Sequence, residues 1–474
     1  MLLYELNARL NGGTFEKITL EELNYLKKLQ FDAVWLMGIW QVSPLGIKLS
    51  QRHASDFFGS PYAIYEYQPN PVLGDVSALR ALRDRIHQAG LKLIVDFVPN
   101  HLALDTPLID HHPGYFIQSS PRMRQEYAND YYLHMSGRRL AHGKDPYFPG
   151  WEDTVQLNYA STGLRAHMRK VLKSIATLAD GVRCDMAMLV LRNQVKRQWF
   201  TRVPQEKFDE LMPHEFWDKA IAETQKVTPE FLFIAEAYWD TETYLNQLGF
   251  HYTYHKRLYD VLLSESPAQA VNHHLRHTNQ AFLQHSVHFI ENHDEDRAAT
   301  RFSPQAGRRA AALIGLLPGM VLIHQGQMEG MTEKLPVQRL YPLHPHTADA
   351  ELQAYYRTLL GVAAHPLFRK GQWAWADSNW KDGVCFWRQY GETLGLVVIP
   401  IGRKSIRLPQ YLKVTLPPTE WGCPTPTIAR SWWQNSKPFA VAAESDTLAI
   451  KRADVRKGLH PILEAIVIEA VSGN

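Results

Sequence analysis

Short apolar runs alternate along the chain with longer stretches in which apolar residues recur every three or four positions, the rhythms of buried strands and amphipathic helices. LLYELNA (2–8) predicts a first strand. A helix opens at Thr19, where Thr19 and Glu22 have capping-box spacing and Leu20, Leu23 and Leu26 share a face. FDAVWLMGI (31–39) predicts a second strand, and a helix from Asp75 turns Val76, Leu79, Leu82 and Ile86 inward and stops at Gly90. LKLIVDFV (91–98) is a near-continuous apolar run, as expected for a strand buried on both faces of a parallel sheet.

The rhythm then pauses. Residues 102–160 are rich in His, Pro, Tyr and Asp and show no clear period; their aromatics can pack, so they read as an insertion rather than a linker. Regular order resumes with a helix over 161–179, a strand over 181–187, a helix near 213–227 and the strand FLFIAEAYW (231–239). HSVHFIEN (285–292) and GMVLIHQG (319–326) predict two more strands with a helix over 304–317 between them, and one further strand must lie near 246–262. Repeated strand–helix units in this number favour a closed barrel over an open sheet.

After a helix over 348–365 the pattern changes to short β-like segments, GVCFWRQY, TLGLVVIPI and AIVIEAV, between Pro and Gly turns, and seven of the thirteen Trp residues lie from Trp373 onward. The expected fold class is α/β: a (β/α)8 TIM barrel with a domain inserted after strand three and a C-terminal β-sandwich. The expected boundaries are 1–101 and 161–370 for the barrel, 102–160 for the insertion and 371–474 for the all-β domain.

Composition narrows the class. The 474 residues are 45% hydrophobic and 21% charged with a net charge of +3, ordinary for a globular enzyme. Without a dense run of Lys and Arg, nucleic acid and anionic membrane surfaces are poor candidate partners. Cys184, Cys385 and Cys423 are odd in number and far apart, which argues against a disulfide framework and for a reducing compartment. MLLYELNARLNGG lacks the features of a signal peptide, and the longest apolar run, 310–323, is broken by Pro318-Gly319 and too short to span a bilayer. The expectation is a cytoplasmic protein; its oligomeric state is not readable.

In a barrel, active sites form at the C-terminal ends of strands. Strand three ends in Asp96, Asn100 and His101, strand four in Arg183 and Asp185, strand five in Glu236, and strand seven in Asn292, His293 and Asp294. Arg183 and Asp185 are two apart and point the same way on a strand. A buried carboxylate is costly unless paired, so an apolar strand that ends in one needs a reason. Two carboxylates about 5–5.5 Å apart, one ionised and one protonated, make a retaining glycosidase. Asp185 beside Arg183 fits the ionised role, and Glu236 among apolar neighbours fits the protonated one. Asp294 would then hydrogen-bond sugar hydroxyls.

DFVPNH (96–101), GVRCD (181–185), IAEAYW (234–239) and ENHD (291–294) resemble the four short motifs of the α-amylase superfamily, glycoside hydrolase family 13, in that family's order. QLNY (156–159), PGMVLIHQGQME (318–329) and SPYAIYEYQPNPVLG (60–74) resemble further segments, so the likeness spans roughly 2–370. The resemblance implies Asp185 as nucleophile, Glu236 as general acid/base and Asp294 as transition-state stabiliser. It implies sugar contacts from His101, Arg183 and His293, a stacking platform in Tyr62, and structural support from Asp96 and Asn100. No cofactor is required. Asn100 matches a position that holds structural calcium in some members, an ion that also needs oxygen ligands from the insertion. Trp151, Trp239 and Tyr159 are candidates for outer sugar contacts.

The resemblance has departures. MAMLV follows Asp185 where starch-degrading α-amylases carry a Lys-His pair, and Ala63 follows Tyr62 where many exo-acting α-glucosidases carry an acid. The implied activity is a retaining hydrolase of α-glucans or α-glucosides. The alternatives are a transglycosylase with the same catalytic residues and, more remotely, an inactive carbohydrate-binding relative. In FIENHDEDR (289–297), Asn292, His293 and Asp294 are expected to face the sugar, Glu295 and Asp296 to begin a solvated loop, and Arg297 to anchor it.

Overall fold

In the computed structural model, eight parallel strands close into a barrel. They are β1 (Leu2–Asn7), β2 (Ala33–Met37), β3 (Lys92–Phe97), β4 (Gly181–Cys184), β5 (Leu232–Ala235), β6 (Tyr252–Tyr254), β7 (Ser286–His288) and β8 (Met320–His324). Neighbours in sequence are neighbours in the ring, and β1 closes it by pairing with both β2 (Leu3↔Ala33) and β8 (Leu3↔Leu322). The structure describes all residues except 11–12, 120–127, 341–346, 403–407, 423–425, 427, 432–438, 445, 458–465 and 472–474.

Every barrel strand predicted from the pattern is present, each one to four residues shorter at one or both ends, because apolar residues continue into packed loops. The sixth strand, located only to 246–262, is the short YTY segment of β6. Thr19 accepts from the Glu22 amide while Glu22 returns a bond to the Thr19 amide, the expected capping box. Asp75 caps the helix Val76–Gln88, whose Leu79, Leu82 and Ile86 are buried; Val76 is only partly so.

Period-two alternation sorts each strand's residues between two cores. Leu3, Ala33, Trp35, Met37, Ile94, Ile234, Val287, Phe289, Met320 and Leu322 form one cluster, the barrel interior. The alternate residues, such as Tyr4, Val34, Val95, Val182, Phe233 and Val321, join the larger core under the helices. On the inner parity the next residue toward the C-terminal end is polar on four strands: Glu5 after Leu3, Asp96 after Ile94, Arg183 and Asp185 after Gly181, and Glu236 after Ile234.

Between β3 and β4, His101–Ala103 pairs antiparallel with Thr154–Gln156, so the two ends of the inserted segment lie side by side. A hairpin of Tyr131–Leu133 with Arg139–Ala141 projects from it. Beyond the barrel, a six-stranded and a three-stranded antiparallel sheet enclose a second core of Trp380, Trp387, Leu396, Val398, Leu412, Val414 and Ile450. Among the described C-terminal tryptophans, Trp373, Trp380 and Trp387 are core residues; Trp387 donates to the Thr415 carbonyl at 2.8 Å. Cys184 and Cys385 are free and buried, and Cys423 lies outside the described residues. No described helix is long and apolar enough to cross a membrane.

A chain of imidazoles joins β6, β7 and β8 on the outer face. His288 Nε2 lies 2.7 Å from the Pro318 carbonyl, His288 Nδ1 lies 3.1 Å from His255 Nδ1, and His255 Nε2 lies 2.7 Å from His274 Nε2. A carbonyl only accepts, so His288 donates from Nε2 and accepts at Nδ1; His255 donates from Nδ1, and His274 from Nε2. All three rings are neutral, and burial pushes His255 well below the ordinary value and His274 and His288 down to about 4. Because the unfolded chain takes these protons first as pH falls, their contribution is full above about 6.5 and is lost toward about 4. His288→Gln removes one such ring. Its stability relative to wild type, followed by denaturant melts from pH 7 to 4, is expected to rise by about 1.4 kcal/mol per unit of pKa depression removed. A difference that does not vary with pH would count against a neutral, hydrogen-bonded His288.

Candidate active site

The polar strand ends converge on a cleft of about 1150 Å³ at the C-terminal mouth of the barrel. Tyr62, His101, Asp185, Glu236 and Asp294 line it, together with Tyr238, Trp239 and, from the insertion, Tyr147, Phe148 and Trp151. Arg183 and His293 lie behind that wall, and Asp96 and Asn100 are buried with them.

Arg183 is the centre of the arrangement. Its Nη1 donates to Asp185 Oδ1 at 2.8 Å and lies 3.7 Å from Asp96 Oδ1, and its Nη2 lies 2.8 Å from Glu236 Oε2. The Glu236 contact is close but not aligned as a hydrogen bond, since Nη2 has no aligned acceptor. The guanidinium carbon is 5.1 Å from the Trp35 ring centroid and 5.4 Å from that of Tyr62. Neighbouring carboxylates keep Arg183 charged despite its burial.

The sequence reading pairs Arg183 with Asp185 or Asp96; the structure shows it reaching Glu236 as well, because the β4 and β5 ends are adjacent in the ring. Asp185 and Glu236 are separated by their other partners. Glu236 Oε2 accepts from the Met186 amide and Oε1 from the Tyr238 hydroxyl, each at 2.7 Å, and burial pushes its pKa up to about 7. Burial also raises Asp185, against the aligned hydrogen bond and charge of Arg183. Met186, directly after Asp185, adopts φ 42°, an uncommon conformation for a non-glycine residue that aims its amide at Glu236.

A second cation sits below Asp294. His293 Nδ1 lies 2.5 Å from Glu5 Oε1, and Nε2 lies 2.7 Å from the Tyr62 hydroxyl and 3.0 Å from Asp294 Oδ2. Burial alone would lower this ring, but Asp294 and Glu5 reverse that and raise it to about 10. His293 in turn holds the half-exposed Asp294 carboxyl below its ordinary range. Glu5 was missed by sequence reading, although a carboxylate inside LLYELNA carries the same cost argument as the other strand ends.

The remaining candidates divide. His101 is buried and pushed down to about 3, with its ring 5.0 Å from Trp151. Asp96 accepts from the Trp35 indole at 3.2 Å and the Gly38 amide at 3.3 Å, and burial raises it to about 7. Trp151 and Trp239 do line the cleft, but Tyr159 does not: its hydroxyl donates to the Pro99 carbonyl and its ring packs on Phe216 in the core. In 289–297, Arg297 is the anchor expected of it, bonded to Glu291 and the Gln325 carbonyl, each at 2.7 Å.

The surroundings of Asn100 do not suit calcium. The Gln156 side-chain nitrogen donates to the Asn100 carbonyl at 3.0 Å, to Asn100 Oδ1 at 2.9 Å and to the Leu157 carbonyl at 3.2 Å. A donor therefore fills the nest of oxygens that a cation would need, and a cation requires oxygen ligands there. Among the described residues no group of three His, Cys, Asp or Glu side chains is placed to hold a metal.

Comparison with known proteins agrees with this architecture. The family model for the α-amylase catalytic domain matches residues 9–354. Alpha-amylase 3 of Dictyoglomus thermophilum is 22% identical over 401 residues, which cover 80% of this chain and 72% of that protein. The cyclomaltodextrin glucanotransferase of Geobacillus stearothermophilus is 24% identical over 347 residues, 68% of this chain but only 44% of that enzyme. The solved structure of a noncanonic maltogenic alpha-amylase, AmyB from Thermotoga neapolitana, superposes with a TM-score of 0.74 at 20% identity, covering 100% of this chain and 99% of that one.

Chelation with EDTA is expected to leave the melting temperature unchanged. Gln156→Ala, which strips the donor from three buried acceptors, is expected to cost about 1–3 kcal/mol in denaturant melts. A melting temperature that falls with EDTA and recovers with calcium would instead assign the nest to a cation.

Proposed function

The chain belongs to the α-amylase family, and on that premise we propose that it is a retaining glycosidase acting on α-glucans or α-glucosides by double displacement. The observation that carries the reading is the pair Asp185 and Glu236, brought to one cleft and touched by one guanidinium yet held in different protonation environments. A single cation reaching both carboxyls supports the short spacing of retaining enzymes, which leaves no room for a water between carboxyl and sugar.

In the first step Glu236, buried and near half-protonated at neutral pH, gives its proton to the glycosidic oxygen as the bond breaks. Asp185, with one oxygen held by Arg183, attacks the anomeric carbon and forms a covalent glycosyl ester. Glu236, now the base, takes a proton from water, which opens the ester with net retention. Asp294, ionised above His293 and half-exposed, accepts hydrogen bonds from sugar hydroxyls as positive charge develops on the ring. Tyr62, fixed by its hydroxyl to His293, offers its ring to the sugar face.

A second reading, transfer to a sugar hydroxyl rather than water, draws on the exposed aromatics of the cleft. Trp239 follows the Glu236 strand and meets Tyr147 with ring centroids 5.0 Å apart, an apolar platform on the leaving-group side that would hold an acceptor sugar. An inactive binding protein would not need Asp185, Glu236 and Asp294 together. The free, buried Cys184 and Cys385 support a reducing, cytoplasmic setting.

Product analysis on maltooligosaccharides, isomaltose, trehalose, sucrose and starch tests the class: shorter products indicate hydrolysis, and longer ones transfer. Asp185→Asn is expected to lower kcat by a factor on the order of 10⁴ or more. Unchanged turnover would sink the assignment of the nucleophile. kcat/KM is expected to fall as pH rises through about 7, where Glu236 loses its proton, and on the acid side as Asp185 gains one. Glu236→Gln is expected to lose about 10²–10⁴ in rate and, with it, that basic limb.

A further inference from the structure

Arg9, just past the end of β1, is fully buried, and among the described residues its guanidinium hydrogen-bonds to main-chain carbonyls rather than to a carboxylate. Its charge is spent on main-chain carbonyls. Nη1 donates to Gly59 at 2.9 Å and Val337 at 3.3 Å, and Nη2 to Phe58 at 2.7 Å and Gln338 at 3.4 Å. Those four carbonyls belong to two loops, one between β2 and β3 and one after β8. Above the arginine the loops pair: the Phe58 amide donates to the Gln338 carbonyl at 2.8 Å, Phe57 bridges Arg339, and Arg339 meets Asp56 at 3.1 Å. The fold makes room for this side chain. Gly38, at φ +78°, packs against it, and a Cβ there would stand 3.0 Å from Arg9 Cδ. Burial lowers Arg9 to about 9, so it remains a cation at neutral pH.

The paired loops form a lip whose Ser60, Tyr62 and Gln338 line the cleft. Its place in the ring gives it a side. β5, which carries Glu236, lies four strands from β1 in either direction, so a lip built from the ends of β1, β2 and β8 faces Glu236 across the mouth. The proton donor stands on the leaving-group side, and the lip therefore bounds the sugar that is transferred.

We propose that Arg9 is a positioning residue that staples the 56–60 and 337–339 loops into one glycone-side wall and so sets how tightly the transferred sugar is held. Arg9 touches no reacting atom; it acts through Tyr62, which follows the stapled loop and is tied to it by the Tyr62 amide on Ser60 Oγ at 3.2 Å. The side assigned to the lip rests on the α-glucoside reading above, whereas the staple does not.

Arg9→Met and Arg9→Lys test it with two readouts on the full chain. Hydrogen exchange at the Phe58 amide is expected to quicken at least tenfold in Arg9→Met and less in Arg9→Lys, whose single ammonium still reaches some of the carbonyls. On the substrate of the panel that wild type cleaves best, Arg9→Met is expected to raise KM about tenfold with kcat changed far less, and Arg9→Lys to recover part of that loss. The basic limb of the pH profile should stay in place, since Glu236 lies across the mouth. A purely structural role would lower the melting temperature and the active fraction but leave KM alone. Unchanged exchange at Phe58 overturns the staple, and faster exchange with wild-type KM overturns the positioning role. A wild-type chain inactive on the whole panel would overturn the α-glucoside reading and the assignment of the lip's side, while the exchange rates would still decide whether Arg9 holds the loops.

Discussion

The mouth of the barrel is organised by one buried guanidinium that has too many carboxyls to satisfy. Arg183 stands within 3.7 Å of Asp96 and 2.8 Å of both Asp185 and Glu236, and all four side chains are withdrawn from water. A single positive charge cannot hold three buried anions, so some of the carboxyls keep protons. Asp96 and Glu236 are the two pushed to about 7, and Asp185 is the one with an aligned hydrogen bond from the cation. Burial pushes all three carboxyls toward the protonated form, and the aligned hydrogen bond from Arg183 sets Asp185 apart from the other two. The same crowding ties chemistry to stability, because removing one partner of a buried pair typically costs about 3–5 kcal/mol.

His293 repeats the device on the other side of the cleft with the opposite balance. It is flanked by Glu5 from below and Asp294 from above, so the ring is the charged member and both acids stay ionised. Its third contact, the Tyr62 hydroxyl, fixes the aromatic ring that lines the cleft. The His293 ring therefore lies behind the wall of the cleft and fixes two groups that line it, Tyr62 and Asp294.

Much of this was legible in the residue pattern, and for a physical reason. Strands buried on both faces are continuous apolar runs, and a polar residue on the inner parity stands out against them; Asp96, Arg183, Asp185 and Glu236 were found that way. β6 was hard to place because it is three residues long and reads YTY, without an apolar run to mark it. Glu5 sits two residues beyond Leu3, at the next inward position, and goes unnoticed because β1 carries no motif. Arg9 leaves no mark at all, since its partners are backbone carbonyls about 50 and 330 residues away, and carbonyls look the same whatever the side chain. Gln156 stands in the QLNY segment, but nothing in that spelling shows that its amide donates to the Asn100 and Leu157 oxygens. An amide that fills an oxygen nest and one exposed on a loop are spelled identically.

The segment 289–297 shows how far composition alone misleads. Its four acids share a neighbourhood in sequence and nothing else. Glu291 is buried, with Oε1 on Arg297 and Oε2 on the Ala298 amide. Glu295 pairs with Lys256 at 3.1 Å, and Asp296 lies at the surface 3.7 Å from Arg301. Asp294 alone turns into the cleft, and its course is dictated by the others. Asn292 caps the Asp294 and Glu295 amides, and the Arg297 guanidinium binds the far end of the turn to β8 through the Gln325 carbonyl. The Asp294 carboxyl, half in water, meets the buried His293 ring at 3.0 Å, and Lys334 donates to the Asp294 carbonyl. Arg9, Arg183, His293 and Arg297 are all withdrawn from water at the mouth, whereas Asp294 beside them stands half in solvent.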